Sequence, residues 1–149
     1  MSNIVRFSLK SYKVEIINDD IILTPKECFV TEDEINRTTL ISSKILNCVV
    51  KNGEEIISDE TGYQPILNRI WESMSTQKIL QTTTFNMKLT NENGLNGYNW
   101  NSKLNLSIQG KNANKCMKEI LNMIKVNNYS INITIRLETE KIIKFKLTN

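Results

Sequence analysis

Hydrophobic and polar residues follow their clearest pattern between Tyr98 and Leu147. Apolar residues first alternate with polar ones, which is typical of a half-buried strand, and Gly110 ends this strand. The next apolar residues fall at helical spacing behind Asn112, whose side chain can cap the first turn, and alternation returns after Asn128. The apolar positions are Leu104, Leu106 and Ile108, then Ala113, Cys116, Met117, Ile120, Leu121 and Ile124, then Ile131, Ile133, Ile135 and Leu137, and finally Ile143, Phe145 and Leu147. The segment is therefore predicted as a β-α-β-β unit, in which one sheet carries one helix.

Three strands are predicted at the start of the chain. Val5, Phe7 and Leu9 alternate with polar residues as on a first strand. Residues 12–17 and 21–24 are predicted to pair as a hairpin around the turn-forming Asn-Asp-Asp run that separates them.

Segment 31–42 carries two conflicting signals. Thr31 and Glu34 match a capping box, which favours the start of a short helix. The β-branched run at 38–41 favours a strand instead. The sequence leaves both structures open.

The dipeptide Asn52-Gly53 is the strongest hairpin signal in the chain. Asn-Gly is favoured where both central residues of a turn need positive φ. We therefore expect residues 44–50 and 54–57 to pair as antiparallel strands across this turn.

A helix and a long strand are predicted in the middle of the chain. Gly62 and Pro65 mark the start of a helix over 64–75, because proline is tolerated in a first helical turn. Residues 79–89 alternate as on a long strand, and the Asn- and Gly-rich run 91–97 predicts a surface loop.

The last hairpin allows a prediction of register. If Leu137 and Ile143 face the same core, these two residues lie opposite each other, since side chains alternate with a period of two. The same register places 135 opposite 145 and 133 opposite 147. It leaves 139–141 as a three-residue loop, which usually needs a glycine that this sequence lacks.

The predicted fold class is α+β, a mostly antiparallel sheet or sandwich with two helices packed on one side. A chain of 149 residues suits one domain over 1–149, and its 40% apolar and 23% charged residues are ordinary for a globular protein. The first nine residues lack the apolar core of a secretory signal, and no apolar run is long enough for a membrane span. We expect a cytoplasmic protein of a bacterial host with reduced thiols.

Residue types needed by many enzymes are absent. The chain contains no histidine, so it can build neither a Ser-His-Asp triad nor an H-E-x-x-H zinc site. Its three cysteines form no C-x-x-C, and its five glycines form no phosphate-binding loop. The sequence therefore predicts a non-enzymatic protein without metal or cofactor.

Acidic residues form two clusters, at 32–34 and at 54–60. Such carboxylates could bind a divalent cation or act as acid and base. Solvated surface turns are the favoured interpretation, because acidic clusters on loops are usually exposed.

Basic residues offer a nucleic-acid hypothesis. Six of them fall on predicted strands, and on one sheet, beside an aromatic ring, they could follow a phosphate backbone. They are Arg6, Lys10, Lys13, Arg136, Lys144 and Lys146. The charge of +3 is modest for a dedicated nucleic-acid binder.

Tyr98 and Trp100 lie beside the 91–97 loop and could form a protein contact surface. A position in the hydrophobic core is nevertheless favoured for Trp100, and more firmly for Trp71.

The run Gly97-Tyr-Asn-Trp-Asn-Ser-Lys-Leu-Asn-Leu-Ser-Ile108, with the helix and hairpin behind it, resembles the C-terminal half of tail-tube-type subunits of bacteriophages and phage-like particles. The resemblance covers about a third of the chain. It implies a β-sandwich with a flanking helix that stacks into rings through sheet edges and long loops.

The leading functional hypothesis is a structural or interaction protein that acts by self-assembly or by contact with a protein partner. A phage tail-type subunit, incorporated in a phage-like particle, is its most concrete form. One alternative is a small mobile-element inhibitor or immunity-type protein that blocks another protein. Another is a sheet-based binder of single-stranded nucleic acid.

Overall fold

A computed structural model describes residues 4–8, 12–25 and 27–148. This part of the chain is an α+β fold with eleven strands and four helices. The strands are β1 (Ile4–Ser8), β2 (Tyr12–Ile17), β3 (Asp20–Pro25), β4 (Glu27–Phe29), β5 (Lys44–Asn52), β6 (Glu55–Ser58), β7 (Met87–Lys88), β8 (Tyr98–Asn101), β9 (Leu106–Gln109), β10 (Ser130–Arg136) and β11 (Ile142–Leu147). The helices are α1 (Glu32–Arg37), α2 (Tyr63–Glu72), α3 (Thr76–Thr82) and α4 (Ala113–Asn127).

The described strands form three sheets. The first has the order β1-β2-β3, the second β4-β11-β10-β5-β6, and the third β7-β9-β8. Every pairing is antiparallel except that of β4 with β11. The predicted α+β class and the mostly antiparallel sheets are confirmed.

One face of the five-stranded sheet is buried, and its side chains belong to the same hydrophobic core as buried residues of the helices. The inward side chains of β10 and β11 alternate with outward ones, as the sequence pattern predicts. Buried core residues from the sheet are Ile45, Cys48, Val50, Ile131, Ile133, Ile135, Ile143 and Phe145. Helices α2 and α4 contact each other, and the third sheet adds Leu106 and Ile108 to the same core.

Local signals explain the start and the end of α4. The Asn112 side chain accepts a hydrogen bond from the Lys115 backbone N–H, which satisfies one of the free donors of the first turn. Asn128 ends the helix with φ of 54°, a left-handed conformation that asparagine tolerates better than most residues. The predicted helix and its Asn112 cap are confirmed.

Residues 79–89 form no long strand, and that prediction is wrong. Ser75 caps α3 by accepting a hydrogen bond from the Lys78 backbone N–H, and the helix continues to Thr82. Only Met87–Lys88 then pairs as a short strand with β9. With Ile79 as its only buried residue, α3 has too few apolar positions for a helical period to be visible in the sequence.

The predicted β-α-β-β unit is also wrong as a single sheet. Its first strand, β9, pairs with β7 and β8, whereas β10 and β11 belong to the five-stranded sheet. The helix α4 therefore connects two sheets. The described structure also has four helices instead of the predicted two.

The register of the last hairpin differs from the prediction by two residues. Ile135 lies opposite Ile143 and Ile133 opposite Phe145. The Leu137 backbone N–H donates to the Lys141 carbonyl at 2.8 Å, so 138–140 is the loop and Glu140 takes the left-handed position with φ of 69°. A slip of two keeps every side chain on its face, so the apolar pattern could not detect it.

Two other turns are now defined. Thr31 and Glu34 form the capping box of α1, which decides 31–42 as a short helix followed by a turn region. In the β5–β6 hairpin Asn52 pairs with Glu55, so the central residues are Gly53 and Glu54. Of these two, Gly53 has the positive φ, so the prediction that Asn52 and Gly53 are the central pair was wrong.

Candidate functional site

The outward face of the five-stranded sheet carries several basic side chains. Arg136, Lys144 and Lys146 point away from the core, and the register adds Lys44 and Lys51 from β5. Lys44 lies directly opposite Arg136, a cross-strand pair of like charges that disfavours the folded state. We call this surface, defined by these five residues, the open sheet face.

Edge contacts partly neutralise the open sheet face. The Lys144 ammonium contacts Glu27 at 3.0 Å and lies 5.9 Å from the ring centroid of Phe29, which is 80% exposed. Arg136 lies 3.8 Å from Glu140. Lys44, Lys51 and Lys146 therefore provide the charge available to an anionic partner.

The six basic residues of the nucleic-acid hypothesis do not share one sheet, and that part of the prediction is wrong. Arg6 and Lys13 belong to the first sheet, and Arg6 lies 3.8 Å from Glu15. Arg136, Lys144 and Lys146 belong to the second sheet. Lys10 lies outside the described residues.

The first sheet exposes apolar residues along its edge strand β3. Ile21, Ile22 and Leu23 are 68%, 45% and 55% exposed. Within the described residues β3 pairs only with β2, so its outer backbone groups form a free sheet edge. We call these three residues and their backbone the β3 edge.

Tyr98 and Trp100 have different environments. Tyr98 is buried, with the Lys88 ammonium 5.0 Å from its ring centroid, so its ring offers little surface to a partner. Trp100 is half-buried and lines a cleft of about 330 Å³ between α2 and β8. Trp71 is fully buried, as expected, and meets Phe85 edge-to-face at 5.5 Å.

The α2–β8 cleft was missed by the sequence analysis. It is lined by Gln64, Asn68, Glu72, Asn99, Trp100, Asn101, Ser102, Lys103, Ile108 and Gly110. The polar members on α2 recur at positions 64, 68 and 72, which is one helix face beside the apolar stripe. That spacing was the available signal.

A buried carboxylate lies elsewhere, on α4. Glu119 is fully buried, and its oxygens accept hydrogen bonds from the Thr83 and Thr84 hydroxyls, the Thr84 backbone N–H and the Asn122 amide. These contacts attach the segment after α3 to α4. Glu119 therefore has a structural role in the fold.

The buried thiols are poor nucleophiles. Burial raises the pKa of Cys48 to about 12, and burial together with the charge of Glu119 raises the pKa of Cys116 to about 11. Both remain protonated at neutral pH.

The acidic clusters make local contacts. Glu34 completes the α1 capping box, Asp33 pairs with Arg37, and Glu32 pairs with Lys125. In the second cluster, Glu60 contacts Arg69 at 3.2 Å. Among the described residues, no group of three His, Cys, Asp or Glu side chains could hold a metal ion.

Comparisons with models of known protein families, with curated proteins and with solved structures found no match to this chain. In the part of the chain that the structure describes, no helix is both long and apolar enough to cross a bilayer.

Proposed function

We propose that this protein is a non-enzymatic interaction protein that assembles with copies of itself through the β3 edge. The observation that carries the proposal is the exposure of three consecutive apolar residues, Ile21, Ile22 and Leu23, on an edge strand. Soluble proteins normally protect such edges with charges, prolines or covering elements, because free backbone groups recruit other strands. An edge left apolar is suited to β-strand addition.

A second copy fits this edge by symmetry. If two β3 strands pair antiparallel about Ile22, Ile22 faces its own copy and Ile21 faces the Leu23 of the partner. Asp20 then faces Thr24, so no like charges are opposed. The same patch serves both molecules, as a two-fold interface requires, and the two three-stranded sheets become one of six strands.

A ring- or tube-forming subunit of a phage-like particle is the most concrete form of this proposal, and it rests on the sequence resemblance alone. In such an assembly the two-fold β3 contact would join the subunits in pairs, and a second, different contact would connect the pairs into a ring or tube. The inhibitor alternative differs in one measurable respect, because a protein that blocks another protein through this edge would be monomeric by itself.

Light scattering coupled to size-exclusion chromatography tests the proposal with two matched variants. Ile22→Lys places a charge in the β3 edge and is expected to convert the oligomer to a monomer. Ile41→Lys is the control, because Ile41 is 64% exposed in a turn outside the first sheet. A wild-type monomer at all accessible concentrations, or equal effects of both variants, would refute self-assembly through β3.

The open sheet face favours a second candidate function, binding of single-stranded nucleic acid. Lys44 on β5 and Arg136 on the neighbouring strand β10 lie directly opposite each other, and a phosphate bound between them would relieve their repulsion. Polar side chains of β10, Asn132 and Thr134, lie on the same face, and the exposed Phe29 ring offers a stacking surface at its edge.

Fluorescence anisotropy with a labelled single-stranded oligonucleotide tests this second function. Lys44→Ala and Lys146→Ala are each expected to weaken binding and to flatten its salt dependence, since each removes about one phosphate contact. Lys13→Ala is the matched control from the other sheet. Binding that is insensitive to salt, or equally weakened by Lys13→Ala, would argue against this surface.

A further inference from the structure

The α2–β8 cleft combines features that belong to neither surface described above. Its volume of about 330 Å³ lies at the lower end of the range for small-molecule sites. Four of its lining residues carry amide side chains: Gln64, Asn68, Asn99 and Asn101. Side-chain amides can donate and accept hydrogen bonds at the same time.

A hydrogen bond orients the side-chain amides on the α2 wall of the cleft. The side-chain nitrogen Nε2 of Gln64 donates a hydrogen bond to the side-chain oxygen Oδ1 of Asn68 at 3.0 Å. With that oxygen engaged, Asn68 can present its amide N–H groups to a ligand. One turn further along the helix, Glu72 adds carboxylate oxygens that accept hydrogen bonds.

The opposite wall is held by a turn after β8. The side-chain oxygen Oδ1 of Asn101 accepts hydrogen bonds from the backbone N–H groups of Lys103 and Leu104 at 3.0 and 3.1 Å. This arrangement leaves the Asn101 amide nitrogen as its donor toward a ligand. The Trp100 backbone N–H is bonded to the Asn93 side chain at 3.0 Å, which restrains the strand that carries the indole.

The charges in and beside the cleft compensate each other. Glu72 lies 4.0 Å from the Lys103 ammonium and 3.2 Å from the Arg69 guanidinium, and Arg69 also contacts Glu60. A phosphate or carboxylate ligand would therefore meet the Glu72 carboxylate without a matching excess of positive charge. The cleft is suited to a neutral polar molecule.

We propose that the α2–β8 cleft binds a neutral pyranose sugar unit. Each hydroxyl of a vicinal diol donates one hydrogen bond and accepts others, so one can donate to the Glu72 carboxylate while its neighbour accepts from Lys103 or Asn68. The flat C–H face of the ring is an apolar surface that fits against the Trp100 indole. Asn99 and Asn101 complete the polar partners.

A nucleobase stacked on Trp100 is the competing ligand, because every base has a π-face that can pack on an aromatic side chain. The two ligands use the cleft differently. The sugar requires the adjacent acceptor of Glu72 and donors of Asn68 and Lys103, whereas stacking of a base depends mainly on the indole.

Saturation-transfer NMR on the full chain distinguishes these ligands. The probes are the methyl glycosides of glucose, galactose, mannose and N-acetylglucosamine, with adenosine and uridine as the competing arm. We expect at least one glycoside to receive saturation, strongest at its ring C–H protons. Trp100→Ala should abolish this transfer, whereas Trp100→Phe retains part of it.

Affinity measurements on polar variants complete the test. Asn68→Ala is expected to raise the Kd of the glycoside about 3- to 10-fold, which corresponds to the loss of one to two neutral hydrogen bonds. Gln77→Ala, which removes an exposed side-chain amide on α3, is the matched control and should change nothing. Unchanged thermal midpoints establish that every variant is folded.

Two results would overturn the proposal. One is that no glycoside gives Trp100-dependent transfer at about 50 mM, a concentration well above the millimolar range of weak binding. The other is that a nucleoside binds in a Trp100-dependent way while the glycosides do not.

Discussion

Replacement of Glu119 tests how the fold is held together. Its carboxylate is fully buried and accepts hydrogen bonds from the Thr83 and Thr84 hydroxyls, from the Thr84 backbone N–H at 3.2 Å and from the Asn122 amide at 3.1 Å. Hydrogen bonds to a charged group contribute about 1.5–3 kcal/mol each, and a buried donor left without a partner costs about 1–3 kcal/mol. These terms do not add, because the four contacts form one network.

Glu119→Ala is expected to lower the free energy of unfolding by about 3–5 kcal/mol, because it removes these hydrogen bonds and leaves the Thr84 backbone N–H without its carboxylate acceptor. Glu119→Gln should cost about 1–3 kcal/mol, because its carbonyl oxygen can keep the Thr84 backbone contact and the threonine hydroxyls can rotate to accept from its amide. Against a typical total of about 5–15 kcal/mol, the alanine variant removes a large share of the stability.

Urea unfolding followed by circular dichroism measures these values, and Glu32→Gln is the matched control. Glu32 forms a surface ion pair with Lys125, so its substitution should change the free energy of unfolding by at most about 1 kcal/mol. Hydrogen exchange adds a local readout, since the Thr84 amide should lose protection in Glu119→Ala and largely keep it in Glu119→Gln. If Glu119→Gln is no more destabilising than Glu32→Gln, the hydrogen bonds of Glu119 do not stabilise the fold.

Three further predictions concern the thiols and the last hairpin. In the native state a thiol reagent should modify the half-buried Cys28 alone, and it should reach the buried Cys48 and Cys116 only after unfolding. Rapid modification of two or three thiols in the native protein would contradict this. Because the pKa of Cys48 is about 12 in the folded chain against 9.0 unfolded, the unfolded state loses its proton first, and stability should fall above about pH 9. Between pH 7 and 10 the wild type should therefore lose about 1 kcal/mol more than Cys48→Ala in denaturant titrations, and parallel pH profiles would exclude this linkage. Glu140→Gly should stabilise the hairpin by about 0.5–1 kcal/mol because Glu140 has φ of 69°, whereas Glu138→Gly in the same loop should not; a thermal midpoint that rises equally in both would disprove the argument.

Several elements could be predicted because their signals are local. The capping residue Asn112 and the apolar stripe of α4 both act within one helix, and the structure confirms them. Alternation along β10 and β11 likewise decides which side chains are buried. The capping box of Thr31 and Glu34 proved stronger than the β-branched residues behind it.

Other features depended on contacts that no local pattern contains. Residues 79–82 became helical while 83–84 were attached to Glu119, a partner 35 residues further along the chain. The exposed edge of β3 and the wall of the α2–β8 cleft likewise exist only once the sheets and helices are packed.

The sequence by itself determined the class of the fold, the caps of its main helix and the faces of its last two strands, because capping and alternation operate between near neighbours. Only the tertiary structure decided which strands pair, since alternation selects a face and is blind to a slip of two residues or to the identity of the neighbouring strand. For that reason β9 joined β7 and β8 instead of β10, and the basic residues of the N-terminal strands and the C-terminal hairpin came to lie on separate sheets.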